Sequence, residues 1–227
     1  MINKKIAVFF DCENIHAKYV PEIFNALTKR GEVIIKQGFN DWSCNAQKWT
    51  KAIINEYAME PIQVFKESDV KNTVDMRMQR GVYEVMSTSN VDTIVIVASD
   101  IDFRDLAITV KSKGIEVIGF GEKTTKEALR NAYSIFYELP INETIKVKNK
   151  EEIIKIVSGA IDELKDDNEY ANFAMVASYL SNKNPSYNCR NFGYKNWGKF
   201  FESNTTDFIT KRIGKNNSTL MVGKKYE

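Results

Sequence analysis

The stretch Thr93-Ile-Val-Ile-Val-Ala98-Ser99-Asp100-Ile101-Asp102-Phe103 decides the fold. Thr93 to Val97 are all β-branched, stiff at χ1 and suited to a pleated surface, and an unbroken run of this kind reads as a strand buried on both faces. After a short acidic step, Phe103, Leu106, Ala107 and Val110 recur at i, i+3, i+4 and i+7, the spacing of an amphipathic helix. A strand that passes through a polar step into a helix is the opening of a βαβ unit.

The same alternation extends outward. Ile6 to Phe10 is a second continuous apolar run. Val33 to Ile35, Ile62 to Phe65 and Glu116 to Phe120 are further strand candidates, while Val74, Met78, Val82 and Val85 fall at i, i+4, i+8 and i+11. Residues 1–140 are therefore expected to form an α/β domain of three layers, α/β/α, with a mainly parallel sheet between helices. In such sheets ligands bind beyond the carboxyl ends of the strands, at a topological switch point. Asp11 follows the first strand and Asp100 follows the strand at 93–98, which puts both at that end.

Asp75 and Asp102 complete a set of four carboxylates beside apolar segments, where a charge costs free energy unless it is paired, hydrogen-bonded or bound to a cation. No matching group of basic residues is visible in the sequence, so a divalent cation is the simplest partner. Hard oxygen ligands suit Mg²⁺ or Mn²⁺, and a metal held by carboxylates is a common means of hydrolysing phosphodiesters. Each acid also has a plainer reading: Asp11-x-x-Asn14 as an Asx turn, Ser99-x-x-Asp102 as a capping box, Asp75 as a charge complementing a helix N-terminus. Carboxylates gathered along one sheet edge together favour the metal. Lys71, Arg77 and Arg80 around Asp75 either orient a phosphate or form helix-surface ion pairs. His16, the single histidine, is expected in a solvent-exposed loop, and Thr124-x-x-Glu127 reads as a capping box.

The 227 residues, 43% apolar, are enough for two domains. No apolar run nears the ~18 residues of a membrane span, and no charged-then-apolar leader opens the chain, so neither membrane insertion nor secretion is expected. Cys12, Cys44 and Cys189 are odd in number and lack CxxC spacing, which points to reduced thiols in the cytoplasm and away from zinc. The net charge of +2 is unevenly spread: residues 1–140 carry 18 Lys and Arg against 19 Asp and Glu, residues 171–227 carry 9 against 3. That basic portion is either the docking surface for a polyanion or simply a solvated face.

Residues 141–150 are charged, lack a core pattern and read as a linker. From 151 to 227 the period is helical at first. Ile153, Val157, Ala160, Ile161 and Leu164 line one helix, Phe173, Val176, Ala177 and Leu180 a second, and Trp197, Phe200 and Phe201 a short third. Residues 207–213 and 218–223 then flank Gly214-Lys-Asn-Asn217, a hairpin signal. Three helices closed by a hairpin make a winged helix, an arrangement that frequently contacts nucleic acid.

Four motifs now carry a resemblance. Val-Phe-Phe-Asp11-Cys-Glu-Asn14, Lys71-Asn-Thr-Val-Asp75, Ile-Val-Ala-Ser99-Asp100-Ile-Asp102-Phe103, and Gly119-Phe-Gly121-Glu with Leu129-Arg-Asn-Ala132 resemble the NYN domain (LabA-like) of the PIN-like ribonuclease superfamily, over about residues 4–140. The resemblance implies a metal-dependent ribonuclease whose acidic site matches Asp11, Asp75, Asp100 and Asp102, with Asn14 and Ser99 in supporting polar positions. Where many members place Gly between Lys and Val-Asp, this chain has Asn72-Thr73.

Residues 151–225 resemble the OST-HTH domain, also called LOTUS, through Arg190-Asn-Phe-Gly193-Tyr-Lys-Asn-Trp197 and Phe208 to Ile213, which implies RNA binding or, in some members, a protein partner. Tyr187, Phe192, Tyr194 and Trp197 interleave with Arg190, Lys195 and Lys199, a composition suited to base stacking with phosphate contact, and Lys211 extends the basic set. Phe192 and Trp197 equally suit a core. The expected function is hydrolysis of RNA phosphodiesters as an endonuclease with Mg²⁺ or Mn²⁺ and a C-terminal RNA-binding module. DNA stays open as a substrate, since nothing here distinguishes a 2′-OH contact. The alternatives are a non-catalytic RNA-binding regulator and an adaptor whose C-terminal domain recruits a protein partner.

Overall fold

The computed structural model describes residues 4–43, 48–65, 72–141 and 150–225. Contacts divide the chain into two units, Met1–Pro140 and Ile141–Glu227. In the first, β1 (Lys4–Asp11) leads through a 3-10 turn (Ala17–Tyr19) to α1 (Val20–Leu27), β2 (Gly31–Asn40), α2 (Lys51–Glu56), β3 (Glu60–Gln63) and α3 (Thr73–Thr88). Then come β4 (Thr93–Val97), a 3-10 turn (Ile101–Phe103) running into α4 (Arg104–Ser112), β5 (Glu116–Glu122), α5 (Glu127–Arg130) and β6 (Ile135–Leu139). The six strands form one sheet in the order β3-β2-β1-β4-β5-β6, with every neighbouring pair parallel. The order reverses between β1 and β4, and that is the switch point.

Side-chain alternation along β1 explains the layers. Ala7 and Phe9 face a core that takes Val74, Met78, Val82 and Val85 from α3, Leu106, Ala107 and Val110 from α4, and Ile94 and Ile96 from β4. Phe10 points the other way, where its ring meets Phe24 of α1 at 5.8 Å. The two periodic sets read from the sequence are thus the buried faces of α3 and α4, and each fully buried side chain such as Met78 or Val82 contributes about 2 kcal/mol. The unit is the three-layer α/β/α domain with a parallel sheet.

Three local readings need correction. The strand expected at 62–65 ends at Gln63, and Phe65 beyond it is 78% exposed. The capping box at Thr124 does not form, because α5 starts at Glu127 and its N-cap is Lys126. β6 was not expected at all, yet it completes the sheet beside β5. Gly119 of β5 leaves room for the fully buried Tyr133, since a Cβ there would lie 2.3 Å from its ring.

The second unit contains α6 (Lys150–Leu164), β7 (Tyr170–Asn172), α7 (Phe173–Lys183), α8 (Trp197–Ser203), β8 (Phe208–Ile213) and β9 (Thr219–Lys224). β8 and β9 form the hairpin, and the unexpected β7 adds a third antiparallel strand in the order β7-β9-β8. Val157, Ala160 and Ile161 of α6 pack with Val176 and Leu180 of α7 and Phe200 and Phe201 of α8. Asn172 and Asn196 cap α7 and α8 by accepting backbone N–H groups, each cap contributing about 1 kcal/mol. Within the linker read at 141–150, residues 142–149 lie outside the described residues and Lys150 belongs to α6. Among the described residues, no helix is long and apolar enough to cross a membrane.

Candidate functional site

Asp11 is the last residue of β1 and shares the α3-facing side of the strand with Ala7 and Phe9. It is fully buried. Asn14 donates its backbone N–H to one carboxylate oxygen at 3.2 Å and its side-chain amide to the other at 3.0 Å, so an Asx turn is present and it holds the carboxylate. Burial pushes the carboxyl up to about 6 despite these bonds, which favour the charged form.

Asp75 sits in the first turn of α3 and is 7% exposed. Burial, followed by the charges of Asp11, Asp100, Glu13 and Asp102, pushes its carboxyl up to about 7. Asp100 follows β4 and caps the 3-10 turn, accepting the backbone N–H of Asp102 at 3.0 Å. The cap is therefore Asp100, and the box expected from Ser99 does not form. The Ser99 hydroxyl instead accepts the N–H of Glu122 at 2.9 Å, tying the end of β4 to the end of β5. Asp102 is exposed and accepts the side-chain amide of Asn72 at 2.9 Å.

Carboxylate oxygens of Asp75, Asp100 and Asp102 lie within 4.8 Å of one another. Asp11 is outside this trio and acts on Asp75 through its charge. Of the four expected acids, three converge within this distance and Asp11 is buried at the end of β1. The trio fits a divalent cation: its donors are all hard oxygens, and a cation would relieve the repulsion that raises Asp75.

Two residues near the acids had no site role in the sequence reading. Glu13, half-buried, adds its charge to both Asp11 and Asp75; its place between Asp11 and Asn14 was the available signal. Asn72 has φ 64° and ψ 24° at the start of α3, a left-handed conformation that Gly adopts at no steric cost and Asn tolerates. The unusual Asn72-Thr73 step therefore preserves the turn. Among the nearby bases, Arg77 lies over the Phe39 ring at 5.9 Å and within 3.8 Å of Glu84, which also pairs with Arg80 at 2.8 Å. Arg80 is exposed and Arg77 half-buried, and Lys71 lies outside the described residues. His16 is half-buried, its Nδ1 accepting the Lys18 N–H at 3.0 Å to cap the turn before α1.

In the second unit the aromatic residues meet each other. Trp197 contacts Phe173, Phe192 and Phe200, and Tyr187 meets Phe192 at 6.0 Å. Tyr194 stands edge-on to Phe200 at 5.0 Å, and its hydroxyl accepts from the Asn204 amide. Tyr194 is therefore half-buried, with one side of its ring against the core. Lys199 donates to Glu202 at 2.6 Å, and Lys211 lies 3.4 Å from the Tyr170 ring centroid. Lys195 is exposed and Arg190 half-buried.

A parallel sheet with acids at its switch point, followed in the chain by a small domain of three helices and a hairpin, is an α/β domain with a winged-helix companion. The NYN domain model matches residues 5–140, and the OST-HTH/LOTUS domain model matches residues 146–219. The chain belongs to the NYN domain family and carries a C-terminal OST-HTH/LOTUS domain, a combination that supports a nuclease-type, RNA-binding protein. No curated protein matches the chain. Among solved structures, a protein of unknown function from Vibrio parahaemolyticus is 18% identical, the match covering 60% of this chain and 93% of that one with a TM-score of 0.49. An uncharacterized protein from Nitrosomonas europaea is 25% identical over 37% of this chain and 82% of its own, with a TM-score of 0.32.

Proposed function

We propose that this protein is a metal-dependent ribonuclease that cuts RNA endonucleolytically, with Mg²⁺ or Mn²⁺ held by Asp75, Asp100 and Asp102. One observation carries the reading: three carboxylates within 4.8 Å of one another at the switch point of an NYN domain, with Asp75 raised to about 7 by burial and its acidic neighbours. A bound divalent cation would supply charge neutralisation at the phosphoryl oxygens and make a nearby water more acidic. Asp11 adds negative charge near Asp75, and Asn14 holds the Asp11 carboxylate in one orientation. Ser99, whose oxygen accepts from Glu122, keeps its own proton to donate to a phosphate oxygen.

The C-terminal domain holds the RNA through Arg190 and Lys195, with Lys199 and Lys211 contributing charge from positions already engaged within the domain. The free, buried thiol of Cys12 suits a reducing compartment, and we assign the protein to the cytoplasm. The test is cleavage of end-labelled RNA and DNA of one sequence with Mn²⁺ or EDTA, comparing the wild type with Asp100→Asn. RNA cleavage that needs Mn²⁺ and is lost in the variant supports the reading; metal-independent cleavage, or equal cleavage by both proteins, refutes it. A second reading, recruitment of a protein by the C-terminal domain, is favoured by the ring contacts that engage one side of Tyr194 and Trp197 within the domain. RNA affinity unchanged by Lys195→Glu would support that second reading.

A further inference from the structure

The three acids of the trio are not held in place equally. Asp75 is fixed by burial in α3, and Asp100 by its cap bond to the Asp102 N–H. Asp102 is exposed, and the repulsion of its neighbours drives its carboxylate towards solvent, where it is better hydrated. What opposes this is Asn72. An N-cap asparagine in extended backbone would turn its side chain onto the helix's own N–H groups. Asn72 is in the left-handed region and makes no such bond. The side chain crosses instead to the next βα step, where Nδ2 donates to Oδ2 of Asp102 at 2.9 Å. Gln79, further along α3, steadies the same turn with its amide 3.4 Å from the Asp102 carbonyl oxygen. Asn72, Asp75, Gln79 and Asp102 line one cavity.

We infer that Asn72 is a positioning residue, whose amide clamps the Asp102 carboxylate beside Asp75 and Asp100 so that the trio is assembled before a divalent cation arrives. The backbone conformation is part of the device, since it aims the amide at Asp102 and away from α3. This inference rests on the metal reading of the site. It goes beyond it by giving a role to a residue outside the carboxylate trio.

The experiment compares full-length wild type, Asn72→Gly and Asn72→Ala. Mn²⁺ binding is read by calorimetry, the melting temperature in EDTA, and cleavage across a Mn²⁺ series. Glycine keeps the positive φ without strain, so its melting temperature should equal or exceed that of the wild type, whereas alanine should melt lower. Both variants lose the amide, and both should bind Mn²⁺ about tenfold more weakly, the low end for groups that orient a metal ligand. Cleavage should return towards the wild-type rate at saturating Mn²⁺. If Asn72→Gly binds Mn²⁺ as the wild type does, whatever Asn72→Ala does, the residue serves only the backbone and the inference is overturned. If the wild type itself binds no Mn²⁺, the metal reading fails and takes this inference with it, an outcome distinct from the first.

Discussion

Replacing Asp75 by Asn should stabilise the metal-free protein while destroying its proposed activity. Asp75 is 7% exposed, and its carboxyl is pushed from an ordinary value of 3.8 up to about 7. Between those values the folded chain keeps a proton that the unfolded chain has released, so stability falls as pH rises from about 4 to about 7, and above that the cost is complete. A gap of about three pH units at ~1.4 kcal/mol each gives about 4 kcal/mol. Asp11, itself pushed up to about 6, shares this titration, and water reaches the trio from the exposed side of Asp100 and Asp102, so about 2 kcal/mol is the better figure. Asparagine keeps the shape and removes the charge. At pH 8 in EDTA the N-terminal domain of Asp75→Asn should therefore melt about 6–10 °C above the wild type by circular dichroism. The advantage should shrink steadily towards pH 4.5. Millimolar Mn²⁺ should reverse the order, because the cation stabilises the carboxylate trio and not the amide variant. A variant no more stable than the wild type at pH 8 would show that neither burial nor the neighbouring acids penalise the Asp75 carboxylate, and an equal gain at both pH values would show that the effect is packing.

Other outcomes follow from the same geometry. Asp100→Asn should lower RNA cleavage at saturating Mn²⁺ by about 10²-fold or more, the scale of losing one electrostatic contributor to a transition state, with little change in RNA affinity; single-turnover rates and filter binding separate the two. Charge reversal distinguishes two lysines: Lys195→Glu, at an exposed position, should weaken RNA binding and reduce its salt slope by about one without lowering the melting temperature. Lys211→Glu loses the contact with the Tyr170 ring and should destabilise the C-terminal domain by about 1 kcal/mol in urea unfolding. Gly119→Ala puts a Cβ 2.3 Å from the buried Tyr133 ring and should cost about 3 kcal/mol by the same method; an unchanged midpoint would mean the ring has room to move.

Much of the frame was legible before any contact was known. The β-branched run of β4 and the periodic apolar faces of α3 and α4 are properties of single segments, because strand pleat and helix pitch select them locally. β6 was not legible in this way. Ile135 to Leu139 follows Leu129, Ala132 and Tyr133 in a stretch whose spacing favours neither period, and pairing with β5 settles it. β7, three residues long, is too short to show a period and exists because β9 offers it an edge. The aromatic residues around Trp197 have a composition that suits either a core or a nucleic-acid surface, and only the tertiary structure shows that Phe192 is buried while Tyr187, Tyr194 and Trp197 are half-buried against the core.

The acids divide along the same line. By itself the sequence determined that Asp11 and Asp100 lie at the carboxyl ends of strands, because each comes just after an apolar run. That the two strands are neighbours follows from the order β3-β2-β1-β4-β5-β6, a choice among non-local pairings on which local pattern is silent. The same holds for the approach of Asp75 to Asp100 and Asp102, for the bond from Ser99 to the Glu122 backbone, and for the reach of Asn72 to Asp102. Each joins segments 23 to 30 residues apart in the two bonded cases. Periodicity records which face of a segment is apolar. Which polar groups meet depends on how the segments pack, and so the tertiary structure alone decided it.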